Sequence, residues 1–306
     1  MDYAIVKFKG KLNSRMLKYA SPISILQNTQ IVSALLSICI NNGQIGPESI
    51  EEFCDGFIIS DMSLFFGSEP LLNGYVFIER FLPNFGDKKP DEKKQYKNTL
   101  LTPSQIFALS KGSLSEDVIQ MFRINNKNII EFTSFTRKGR KKEDLFTTRE
   151  VYLGESEYDG KQIFVGVLIA YNNKDVLNQI KDLEDYGLGG DKTTISNISI
   201  SIDDLSEEKV INLINNSITT RVALGNFIPE QNYKVIFGRA TYYNSIKGNW
   251  GLSVLKYGKG SIVNTPNSEI KYGIIGKNYK ISSKFTGSDY IFPMKTLSFG
   301  IDLRGV

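Results

Sequence analysis

Residues 162–171, QIFVGVLIAY, run without a charged side chain and read as a fully apolar strand. A helix follows at once, capped by Asn172 or Asn173, with Val176, Leu177, Ile180 and Leu183 on one face. The same strand-to-helix change occurs near the start of the chain. Residues 3–9 alternate as YAIVKFK, a strand, and Asn28 or Thr29 can cap a helix through Ile31, Val32, Leu35, Leu36 and Cys39 that Asn42-Gly43 stops. Apolar residues cover most of its circumference, so this helix is expected to be buried. Residues 47–54 read as a short second helix, and residues 56–63 (GFIISDMS) as a strand ending in a loop. Residues 194–202 (TISNISISI) alternate as a strand, and residues 204–215 read as a capped amphipathic helix.

Between these blocks, from residue 84 to 153, the character changes. Residues 87–97 (DKKPDEKKQYK) are charged and broken by proline, the composition of an exposed loop. Thr102-Pro103-Ser104-Gln105 has the form of a capping box with proline in the first turn. Two β-rich runs, residues 128–136 and 145–153, flank a basic segment and predict a hairpin with a cationic tip.

With this insertion set aside, the first 200 residues read strand, helix, strand, strand, helix, strand, the order of a ferredoxin-like βαββαβ sheet. The expected fold class is α+β, with a domain over residues 1–202 and a second, less regular one over residues 203–306. In that second half the strand candidates are residues 217–224, 234–244 and 295–303.

Composition narrows the chemistry. At 306 residues and 41% hydrophobic content the chain can fill two cores. With 37 basic against 33 acidic residues, the net charge of +4 allows a nucleic-acid partner without demanding one. No run of about 18 apolar residues occurs, and residues 1–6 already alternate like a strand, so the expectation is a cytoplasmic protein with neither a membrane span nor a signal peptide. Cys39 and Cys54, the only cysteines, suit buried reduced thiols better than a disulfide framework. There is no histidine at all. Ser-His-Asp and Cys-His sites, histidine acid–base catalysis and histidine-ligated zinc are therefore excluded, whereas a carboxylate or lysine mechanism survives.

The stretch YGLGGDKTTISN, residues 186–197, holds three glycines within four positions. A Walker loop needs Gly-Lys-Ser/Thr after a strand. Here Asp191 separates Gly190 from Lys192, and the loop leaves a helix to enter a strand. The dinucleotide fingerprint fails too, since Lys192 stands where its third glycine belongs. Gly187 sits just past an amphipathic helix, where a left-handed cap is expected. Gly189 and Gly190, followed by Lys192, Thr193 and Thr194, can form a nest of backbone N–H groups for an anion, or a plain surface turn.

Residues 137–142 place five positive charges in six positions, with Arg137, Lys138, Arg140 and Lys141 among them. A solvated tip and a single-strand nucleic-acid contact both fit, since Phe132, Phe135 and Phe146 flank the run; Arg149 can extend the same surface. Among the acids, Asp203-Asp204 and Glu207-Glu208 read as helix caps and dipole partners, and Glu184-Asp185 as a solvated pair. Asp61, in the loop IISDMSLFFG, is the one carboxylate placed for function; with no second acid near it, no metal site is expected.

Taken in order, IVSALLSICINN, FIISDMSLFFGSEPLL, LFTTREVYL and GLGGDKTTISNISI resemble the segments of the RAMP superfamily of CRISPR proteins, and within it the family of the fourth Csm-type subunit of type III-A effector complexes. The family pattern is a Ser-Ala-Leu helix, a Ser-Asp loop followed by aromatics, an inserted hairpin ending in Leu-Phe-Thr, and a Gly-x-Gly-Gly-x-Lys/Arg-Ser/Thr loop. The resemblance implies two ferredoxin-like (RRM-like) units with an inserted thumb hairpin. It implies an RNA-binding subunit that grips the 5′ handle of the crRNA and caps the backbone filament. Its expected partners are the crRNA and target RNA, the large polymerase-like subunit and a neighbouring RAMP backbone subunit. It implies no catalytic residues, and no cofactor is expected. The other classes are a RAMP endoribonuclease that processes the crRNA precursor, and a protein-only scaffold.

Overall fold

The computed structural model of the protein describes residues 1–13, 24–114, 129–138, 145–188, 197–238, 240–244, 253–266, 271–282 and 289–303. The chain divides into two compact units: Met1–Phe57, Asp61–Gly67 and Asn125–Leu205 form the first, and Ile58–Ser60, Ser68–Ile124 and Ser206–Val306 the second. The stretch 84–153, expected as one insertion, is thus shared between them at residue 124.

The first unit is built on strand β1 (Asp2–Asn13). The chain continues through helix α1 (Asn28–Asn41), helix α2 (Ile50–Gly56) and strand β2 (Ser63–Phe66), then the hairpin strands β3 (Ile130–Lys138) and β4 (Leu145–Leu153). Strand β5 (Glu155–Tyr158), strand β6 (Lys161–Tyr171), helix α3 (Asp175–Lys181), the single turn α4 (Leu183–Tyr186) and strand β7 (Asn197–Asp204) complete it.

From Val6 on, side chains of β1 alternate: Val6, Phe8 and Leu12 are buried, while Lys7, Lys9 and Lys11 lie on the other face, where Tyr3 and Ile5 are buried nearer the start. β6 is buried continuously from Ile163 to Tyr171, which is why its sequence shows no alternation. It runs antiparallel to β1, with Asp2 opposite Tyr171 and Phe8 opposite Val165, and antiparallel to β2 on its other side, where Phe65 stacks on Phe164 at 5.4 Å. β7 pairs antiparallel with the other edge of β1. The strand order is therefore β7-β1-β6-β2.

The run 56–63 is a strand over Phe57–Ile59 that ends at Ser60 and Asp61, in line with the expected strand ending in a loop, and β2 follows at Ser63, paired with β6. Other sequence expectations change. Helix α1 is capped by Gln27, whose N–H bonds the side chain of Gln30 at 2.8 Å, and not by Asn28 or Thr29. Asn28 is already helical because Asp61 supplies an acceptor for its backbone N–H. β5 was not foreseen, although Asp159 and Gly160, both at positive φ, make the two-residue turn that joins it to β6. The N-cap of α3 is Lys174, without a side-chain cap, and not Asn172 or Asn173; Asn173, one residue earlier, accepts from the backbone N–H of Asp175 at 3.0 Å. Cys39 and Cys54 are buried thiols outside any disulfide, and burial, aided by Asp182, pushes the Cys39 thiol up.

In the second unit, a five-stranded antiparallel sheet has the order Lys234–Phe237, Ile262–Asn264, Thr220–Ala223, Thr296–Gly300 and Ile274–Ile275. Ala223, Phe227, Val263 and Ile275 form a core cluster in it. The run 234–244 is two strands: Gly238 lies so close to Ser261 that a Cβ would stand 2.7 Å from its hydroxyl, and Ala240–Asn244 leaves the sheet to pair with Ser253–Tyr257. Pro103–Ser110 starts at the predicted capping box, with Thr102 accepting from the Gln105 N–H at 3.3 Å and donating its own N–H to Gln105 Oε1 at 2.9 Å. Helix Glu208–Asn215 begins four residues later than expected.

Arg221 is fully buried beside the end of that helix. Its Nη1 donates to the carbonyl and side-chain oxygens of Asn216 at 2.9 and 2.7 Å, its Nη2 to the carbonyls of Ile214 and Ser298, and its Nε to Ser298 Oγ. A guanidinium among the terminal carbonyls of a helix is placed where the helix dipole favours a cation. Among the described residues no helix is long and apolar enough to cross a membrane.

Candidate nucleic-acid interface

The predicted hairpin is present and deeply paired. β3 and β4 run antiparallel from Ile130 opposite Leu153 to Lys138 opposite Leu145, with Arg137 opposite Phe146 and Arg149 opposite Ser134. Arg137 and Lys138 therefore stand at its outer end and Arg149 four pairs nearer the root. Arg140 and Lys141 fall outside the described residues.

The glycine stretch begins as read: α4 ends at Gly187, whose N–H bonds the carbonyl of Leu183 at 2.9 Å. Its φ of 78° with ψ of 156° is extended at positive φ, so it is not the left-handed helical cap that was expected. That conformation is open essentially to glycine alone. Gly189, Gly190, Lys192, Thr193 and Thr194 lie outside the described residues, and β7 starts at Asn197.

β1 brings these two features together. Gly10 is opposite Leu153 of β4 on one side and Ile198 of β7 on the other, and Lys11 is likewise flanked by Tyr152 and Asn197. The root of the basic hairpin and the far end of the glycine stretch thus share two consecutive residues of one strand.

The same strand carries a feature that reading the sequence for motifs passed over. Lys7 pairs with Asp203 at 2.6 Å, Lys9 with Glu155 at 2.7 Å and Lys11 with Glu150 at 2.5 Å. The hydrogen bond to Glu155 is the main reason the Lys9 ammonium is raised above its ordinary value. Lys7 also reaches Gln162 Oε1 at 3.1 Å and lies 4.7 Å from the centre of the Phe164 ring. The signal was KFKGK, residues 7–11: lysine at alternate positions of a strand puts three cations on one face.

The acids are placed differently from the sequence reading. Asp61 is 1% exposed, its carboxylate accepting from Ser24 Oγ and from the Asn28 N–H, both at 2.9 Å. Enclosed in this way, the one carboxylate expected to be placed for function clamps the start of α1. Asp203 and Asp204 are not helix caps but the end of β7, Asp203 on Lys7 and Asp204 beside the buried Tyr171 phenol. Glu184 is not merely solvated, because its side chain accepts the N–H of Ile200.

No protein-family model and no curated protein sequence matches the chain. Solved structures do. A chain of the crystal structure of the Csm3-Csm4 subcomplex in the type III-A CRISPR-Cas interference complex is similar over 96% of this chain and 99% of its own, at 16% identity and a TM-score of 0.57. In the Csm1-Csm4 cassette with pppApA the similar chain is covered completely, as is this one, at 14% identity and a TM-score of 0.60. The cassette in complex with cA4 gives 12% identity, 99% of both chains and a TM-score of 0.60. Over its whole length the chain has the fold of these type III-A Csm-complex proteins.

Proposed function

We propose that this protein is a non-catalytic guide-RNA-binding subunit of a type III-A CRISPR interference complex, holding the 5′ handle of the crRNA. The observation that carries the reading is the placement of Gly10 and Lys11 between the hairpin root and the end of the glycine stretch. Asn197, where the stretch rejoins the described fold, thus lies beside the same strand as the root of a basic hairpin, an arrangement suited to a single strand. The strand order β7-β1-β6-β2, antiparallel throughout, supports a ferredoxin-like first unit, and the five-stranded sheet with helix Glu208–Asn215 supports a second, less regular one. The likeness to chains of Csm assemblies supports docking to a large polymerase-like subunit and to a neighbouring RAMP subunit at the filament end, as part of an antiviral complex in the cytoplasm.

Titration of handle-bearing RNA against the purified chain, alone and in its complex, tests the reading. Affinity should fall steeply with salt, and Lys192→Ala with Lys138→Ala and Arg140→Ala should lower both affinity and the salt slope, by about 0.7 per lost phosphate contact. Unchanged affinity in that triple variant would overturn it. Specific cleavage of precursor RNA would replace it with the endoribonuclease reading.

A further inference from the structure

We infer that the lysine stripe of β1 is a clamp for the basic hairpin and not an RNA surface, with the Lys11–Glu150 pair as the positioning contact where the hairpin leaves the sheet. The inference rests on the RNA-binding reading above, and concerns what aims the hairpin.

The charges argue first. Three lysines at alternate positions of a strand could serve as a track for phosphates, yet each has a carboxylate within 2.7 Å: Lys7 has Asp203, Lys9 has Glu155 and Lys11 has Glu150. Three cations against three carboxylates leave the stripe without net charge, so it offers RNA little long-range attraction. The three acids come from three different strands, β7, β5 and β4. The stripe therefore ties β1 to its neighbours.

Geometry singles out one pair. β4 is held by β1 over four residues, from Leu153 opposite Gly10 to Glu150 opposite Asn13. From Arg149 to Leu145 its described ladder is with β3 alone. That ribbon extends about 17 Å past the last residue held by β1, so a rotation of about 10° at the root carries its outer end about 3 Å, the length of a hydrogen bond. Arg137 and Lys138 stand at that outer end. Lys11, opposite Tyr152, reaches diagonally to Glu150, the last residue before the ribbon runs free. On the other side, the N–H of Gly154 closes the hairpin on the Ile129 carbonyl at 2.7 Å, and the next residue, Glu155, is held by Lys9. Two lysines thus grip the attachment from both sides. Of the three acids Glu150 is the most enclosed, its side chain 11% exposed against 55% for Glu155 and Asp203, so solvent screens this pair least.

A clamp and an RNA surface give opposite signs. On an RNA surface, removing Glu150 frees Lys11 for a phosphate and tightens binding. In a clamp, removing either partner weakens binding, because the hairpin then visits orientations that RNA cannot use.

The experiment compares Lys11→Met, Glu150→Met and Lys11→Arg in the full-length chain, using RNA that carries the 5′ handle and a series of salt concentrations. Spin labels at Thr136 in β3 and at the exposed Ser37 in α1 report the hairpin's orientation, and Cys39 and Cys54 are buried away from the label. We expect both methionine variants to bind about 3- to 5-fold more weakly, with the salt slope unchanged because no phosphate contact is lost. The label-to-label distance distribution should broaden in both. Lys11→Arg, which keeps the pair, should stay within about 2-fold of wild type with a narrow distribution. Should either methionine variant fail to fold, Lys9→Met and Glu155→Met, at the more exposed pair, should give the same broadening in smaller degree. Tighter binding by Glu150→Met, or a salt slope lowered by about 0.7 in Lys11→Met, overturns the inference and makes the stripe an RNA contact. An unchanged distance distribution in both methionine variants also overturns it. A wild-type chain that binds no handle RNA removes the RNA reading itself, while the distance distributions still decide whether the pair holds the hairpin.

Discussion

Asp61 in the first unit and Arg221 in the second are the most deeply buried charges among the described residues, and each holds one end of a helix. Asp61 takes an N–H at the start of α1, and Arg221 takes carbonyls at the end of Glu208–Asn215, so each sign sits at the end the dipole favours. They differ in what surrounds the charge. Arg221 meets carbonyl, amide and hydroxyl oxygens from two elements of its own unit, Ser298 in turn donating to Gly273. Asp61 joins a helix to Ser24, on the return from the segment that follows β1. The first arrangement locks a core; the second fixes the beginning of a helix in the sheet that carries the candidate interface. A buried charge here marks where a helix end needs a partner, and its burial alone does not mark a functional site.

The largest effect should come from Arg221→Met, which strands at least three backbone carbonyls or side-chain acceptors in the core: about 3–5 kcal/mol of stability, read from denaturant midpoints, with RNA binding at low temperature retained. Loss below about 1 kcal/mol would show that water replaces the guanidinium. Asp61→Ala should cost about 2–3 kcal/mol and loosen amide protection at the start of α1, leaving the second unit unaffected. A drop in RNA affinity without that loosening would make Asp61 an RNA contact. Gly10→Ala forces a side chain into positive φ and against Asn197, costing about 1–3 kcal/mol, and unlike the other two it should also weaken RNA binding.

The smallest effect tests a third buried charge. Glu69 accepts the Ser104 N–H at 2.6 Å at the start of helix Pro103–Ser110, and burial is the main reason its carboxyl is held above the ordinary 4.5. The folded protein therefore holds this proton more tightly than the unfolded chain. The stability Glu69 contributes is complete below pH 4.5 and is lost as pH rises through the raised folded value. Glu69→Gln should flatten the pH dependence across that window and leave neutral-pH stability equal or higher by about 1 kcal/mol. A slope identical to wild type would mean another group titrates there.

Much of the frame was legible in the residues. The capping box at Thr102 depends on atoms three residues apart, and the apolar run of β6 and the β-rich runs of β3 and β4 are local patterns. The Asp159-Gly160 turn and the KFKGK stripe are equally local: two adjacent residues make the turn, and alternation along one strand makes the stripe. Gly238 announced a special backbone position, but whether that was a turn or a change of partner strand depended on Ser261.

By itself the sequence determined where most strands and helices lie, that histidine chemistry is absent, and that a basic hairpin and a glycine stretch both exist. Tertiary structure alone decided that Gly10 and Lys11 join those two features, and which partners the charges find. Asp61 meets Asn28 across 33 residues, Glu184 meets Ile200 across 16 and Arg221 meets Ser298 across 77. Periodicity and capping are interactions between near neighbours along the chain. A charged side chain that satisfies a distant backbone group leaves no such period, because its partner is set by the path of the intervening fold.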